Sequence, residues 1–77
     1  MSDEERTELA NIVAPYGRHI RLQDVRFESG MRLLRVIIRE GTSRITVFEI
    51  DAVTARTWAT AMQCWAQQAD AADPNPP

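Results

Sequence analysis

Lysine is absent from this sequence, and cysteine and histidine occur once each. The lone Cys64 excludes an internal disulfide, and the lone His19 leaves too few soft ligands for a structural zinc site. No metal and no cofactor is therefore expected. There is no run of 18 apolar residues and no charged-then-apolar leader. Neither a membrane span nor a signal peptide is expected, and a reducing cytoplasm is the expected location. His19 has no serine or cysteine at a diagnostic spacing, and neither a glycine-rich phosphate loop nor a paired-carboxylate pattern occurs. The sequence does not read as an enzyme.

What is present is a small folded domain. The 77 residues, 44% hydrophobic and 26% charged, have the balance of one globular unit rather than a disordered chain. A core this small commonly needs a staple, and without disulfides or metal the remaining device is oligomerisation. All nine basic residues are arginine and ten residues are alanine, a composition that suggests a bacterial source. The net charge of −2 hides an uneven distribution. Residues 1–17 carry −3, residues 18–44 carry seven arginines and +4, and residues 45–77 carry −3.

The strongest periodic signal lies near the C-terminus. Ala55, Trp58, Met62, Trp65 and Ala69 step by three and four, and Ala59 and Ala66 widen the stripe, as on one buried face of a helix. Asp51 is placed as its N-cap. Residues 71–77, ending in Asp-Pro-Asn-Pro-Pro, read as a disordered tail beyond a single domain over 1–70. Upstream, Arg18–Phe27, Met31–Arg39 and Arg44–Ile50 alternate as strands, separated by turns at Glu28-Ser29-Gly30 and Glu40-Gly41-Thr42-Ser43. Ile20 and Leu22 are out of phase with Val25 and Phe27, which predicts a bulge or twist near Gln23–Asp24. At the N-terminus, Ser2 and Glu5 have capping-box spacing, and Leu9, Ile12 and Val13 give a short apolar stripe. This predicts a helix over residues 3–13, broken by Pro15 and Gly17. The expected fold is α+β, α-β-β-β-α, with a three-stranded antiparallel meander and the C-terminal helix packed on one face.

On that fold Arg35 and Arg39 share one face of the middle strand with Leu33 and Ile37, and Arg21 and Arg44 flank them. Two readings stand open. The arginines either pair with cross-strand acids such as Glu49 or Glu28, or they form an interaction surface for carboxylate or phosphate groups. A protein partner fits that surface, with nucleic acid as the alternative. Trp58, Met62 and Trp65 are read as a core stripe that also meets a second subunit in a homodimer. His19 reads as a surface residue, and Cys64 as a small, partly buried one on the helix flank.

Two resemblances follow from these segments. The α-β-β-β-α order resembles the double-stranded-RNA-binding domain, although residues 51–56 carry one basic residue where that family places a lysine cluster. Gly30–Arg35, Ile38–Gly41 and Glu49–Asp51 leading into Thr54-Ala55 and Trp65-Ala66 resemble a family of short uncharacterised bacterial proteins. That likeness implies no activity. The functional expectation is a small non-enzymatic interaction or accessory protein, homodimeric, using an arginine-rich sheet face.

Overall fold

The computed structural model describes residues 4–72. Four strands, β1 (Glu4–Ala14), β2 (Arg18–Phe27), β3 (Arg32–Glu40) and β4 (Arg44–Ile50), form one antiparallel sheet in the order β1-β2-β3-β4. Helix α1 (Ala52–Ala72) follows one residue later and lies against β3. The class is α+β, as expected, but the order is β-β-β-β-α. The expected N-terminal helix is a strand, and the meander has four strands instead of three. With that helix gone, the element order that resembled the double-stranded-RNA-binding domain is gone as well.

The correction has a physical reason. Short isolated helices are marginal in water, and Leu9, Ile12 and Val13 offer no face wide enough to dock one. Pairing with β2 satisfies the backbone instead, and Pro15-Tyr16-Gly17 serves as the hairpin turn. Tyr16 and Gly17 both take left-handed backbone angles there, with φ of 64° and 73°. The register slips by one between Glu8 and Ala10, so Leu9 is the extra residue of a bulge. That slip disguised the strand. Glu4, Arg6 and Glu8 alternate on one face, whereas Ala10, Ile12 and Ala14 alternate on the other.

The bulge predicted in the next strand is therefore found across from it. β2 itself pairs without interruption along both neighbours' matching residues, and Gln23 faces Glu8 at the slip. Its phase change is real: Ile20 and Leu22 face the helix, while Val25 and Phe27 face the opposite side. Val25 is completely buried there, although no helix covers that side.

On the helix side Ile12, Ile20, Leu22, Val36, Ile38 and Ile50 form an apolar floor beneath Ala55, Trp58, Ala59 and Met62. A cavity of about 330 Å³ remains between the layers. Asp51 caps the helix, its Oδ1 accepting from the Thr54 amide at 2.9 Å. Hydrogen bonding from the Thr54 hydroxyl first, and from its amide second, lowers the Asp51 pKa. Ala71 and Ala72 complete the helix, and residues 73–77 of the expected tail lie outside the described residues, as does the proposed Ser2 cap.

Ala55, Trp58, Ala59 and Met62 line the cavity above the sheet, whereas Trp65, one turn further on, is not among its lining residues. Trp58, Met62 and Trp65 are 42%, 60% and 70% exposed.

Candidate functional site

The sheet face away from the helix is a grid of rows, read strand by strand. Val13, His19, Arg39 and Ile45 form the row next to the β3–β4 turn. Asn11, Arg21, Ile37 and Val47 form the second. Glu8, Gln23, Arg35 and Glu49 form the third, and Arg6, Val25 and Leu33 the fourth. Five of the six residues expected on the interaction surface, Arg21, Leu33, Arg35, Ile37 and Arg39, share this face. Arg44 does not. It lies opposite Glu40 on the helix side.

The third row is saturated with ion pairs. Arg35 donates through Nε to Glu49 at 2.7 Å and through Nη1 to Glu4 at 3.1 Å. Glu4 belongs to β1, two strands away, so the guanidinium spans β2 and roofs the region of Gln23 and Val25. Only 16% of its side chain is exposed. Its two carboxylates, Glu4 first, raise its pKa above the ordinary arginine value. Of the two readings, Arg35 follows the one with cross-strand acids: Glu49 as anticipated, and Glu4 rather than Glu28.

Arg21 follows it too. Its Nη2 and Nε donate to the two Glu8 oxygens at 2.8 and 3.1 Å, and Gln23 Nε2 donates to the same carboxylate at 3.1 Å. These donors hold Glu8 at a pKa of about 2, against 4.5 ordinarily, with the Arg21 hydrogen bond as the largest cause. Gln23 is buried, and its Oε1 has no hydrogen-bond partner among the described residues. On the other face and rims, Arg18 pairs with Glu40, and both Arg26 and Arg32 reach Asp24.

Arg39 is the exception on this face. It makes no ion pair with a described residue, whereas Arg6 and Arg21 each have one and Arg35 has two. Beside it His19 is hydrogen-bonded to Asn11. Together with Glu8, Arg21 and Ile37 these residues line a hollow of about 450 Å³. Exposed Val13, Ile45 and Val47 border it. A guanidinium set among aliphatic side chains can take a carboxylate in a two-pronged hydrogen bond while burying an apolar neighbour.

The acids that organise this face, Glu4 and Glu8, fall within the helix expected over residues 3–13. Their alternation with Arg6 was the available signal for a strand. On the opposite side Trp58, Met62 and Trp65 do share one helix face, and with Ala61 and Ala66 they surround a second hollow of about 560 Å³. Cys64 is exposed on the flank instead of partly buried. No group of three or more histidine, cysteine or acidic residues suited to a metal occurs among the described residues. No described helix is long and apolar enough to cross a membrane.

A family model described as a family of unknown function, DUF6967, matches residues 3–68. Neither the curated proteins nor the solved structures yield a match. The chain belongs to this family of unknown function.

Proposed function

We propose that this protein is a non-enzymatic interaction protein. In this reading it acts as a homodimer, turning its tryptophan side to a second copy and its arginine side to a protein partner. The observation that carries the partner site is Arg39, a cation without an acidic partner among the described residues, on a face whose other arginines are paired. The neighbouring Ile37, Ile45 and Val47 supply apolar contact area, and the pairing of Arg35 and Arg21 keeps them engaged within the sheet. The working surface is thereby narrowed from the whole arginine cluster to the end of the sheet at His19 and Arg39. Its complement is a carboxylate-bearing segment with aliphatic neighbours.

Affinity capture from the source cell, with and without nuclease, tests this. The expected result is a nuclease-resistant protein that is lost with Arg39→Ala and kept with Arg26→Ala, a paired arginine on the opposite side. Equal capture by both variants contradicts the assignment. Nucleic acid that co-purifies until nuclease removes it, with steep salt sensitivity from counterion release, replaces it with the nucleic-acid alternative.

A further inference from the structure

We propose that the second copy binds by antiparallel pairing of the two α1 helices about a two-fold axis beside Ala61 and Met62. This rests on the homodimeric reading above and adds to it a register and a set of contacts.

The first support is the symmetry of the stripe itself. Trp58 precedes the Ala61/Met62 pair by the same spacing at which Trp65 follows it. Read in either direction, the helix presents an indole, a small residue beside a methionine, and a second indole. A two-fold interface requires a patch that complements its own copy. Antiparallel pairing centred between Ala61 and Met62 sets Trp58 of each copy against Trp65 of the other, at both ends of the contact.

Shape and charge agree with this. The hollow between the indoles, floored by Ala61 and Ala66, is open to a side chain from a facing helix, as in knobs-into-holes packing. Between Arg56 and Asp70 the helix carries no charge at all. Interface cores are depleted of charged residues, and an uncharged stripe meets its own copy without repulsion.

The area is also of the right size. The chain exposes 6414 Å². Even if the eight residues outside the described range are counted as fully extended, the rest exposes about 800 Å² more than a compact monomer of its mass. About 800 Å² is what each partner contributes to a standard protein–protein interface. Trp65, 70% exposed, is outside the cavity that the chain's own sheet covers.

The test is disulfide trapping in the full chain with Cys64→Ser, comparing Met62→Cys with Val53→Cys. Both positions are exposed, Met62 at 60% and Val53 at 65%. Residue 62 lies beside the axis, whereas residue 53 lies about 13 Å from it along the helix. Mild oxidation is expected to convert Met62→Cys almost wholly to a covalent dimer and to leave Val53→Cys monomeric. Equal trapping at the two positions, or none at 62, overturns the register. Sedimentation of the untrapped Cys64→Ser chain separates the causes. A dimer without trapping at 62 refutes this pairing alone, and a monomer refutes the homodimer as well.

Discussion

Phe48 and Trp58 meet edge to face, with ring centroids 5.7 Å apart and planes at 84°. The pair ties α1 to the edge strand β4, in a geometry that contributes about 0.5–1.5 kcal/mol beyond area burial. Trp65, seven residues on, has no such ring partner among the described residues and is 70% exposed.

The two tryptophans should therefore behave differently. At concentrations low enough to dissociate any dimer, Trp58→Ala should cost about 2 kcal/mol, below the ~3–5 kcal/mol of a fully buried ring. Trp65→Ala should cost less than about 1 kcal/mol under the same conditions. Urea denaturation of both variants checks this. The reverse order would place the helix on the sheet through its C-terminal half.

Acid should weaken the bulge. The Glu8 pKa is depressed to about 2 from 4.5, chiefly by the Arg21 hydrogen bond. A depressed carboxyl stabilises the folded state above its unfolded value, and that contribution is lost as pH falls from about 4.5 toward 2. Denaturation midpoints measured across that window should fall less for Glu8→Gln than for the unmodified chain. An unchanged slope would mean that the pair does not persist in solution.

Arg35→Ala should destabilise by about 1.5–3 kcal/mol, because it strips charge-assisted bonds from two acids. It also unroofs the region of Gln23 and Val25. Glu49→Gln removes one bond and keeps the roof, so its effect should be smaller. Thermal melts of the two variants, compared at one pH, check the order.

Tyr16→Asn should stabilise the first hairpin. A left-handed residue other than glycine costs about 1–2 kcal/mol, and asparagine tolerates that conformation better. The Tyr16 ring lies 5.9 Å from the Arg18 guanidinium, an exposed contact contributing only about 0.5–1 kcal/mol. A net gain of about 0.5 kcal/mol is expected in urea denaturation, and a loss would show that the aromatic contact dominates.

The sequence was most legible where periodicity and turn chemistry agreed. The α1 stripe, its Asp51 cap and the three strands from Arg18 to Ile50 all follow from such agreement. The first strand was obscured by one residue: with Leu9 extruded, Glu4-Arg6-Glu8 and Ala10-Ile12-Ala14 fall on opposite faces, and no single alternation spans them. That misreading carried into the candidate site. With Glu4 and Glu8 placed in a helix, Arg35 loses one of its two acids and Arg21 loses its own, so more of the cluster looks available. Arg39 alone among the arginines of this face makes no ion pair with a described residue. The exposure of Trp65 was equally hidden, because periodicity reports which residues share a face and not whether a sheet reaches far enough to cover them.

Sedimentation equilibrium of the full chain beside Trp65→Ser tests the central claim most directly. The account predicts twice the 8.7 kDa chain mass at micromolar concentration, falling to the single-chain mass when Trp65 is replaced. A single-chain mass for the unmodified protein throughout the accessible range would contradict it, and so would a dimer indifferent to Trp65.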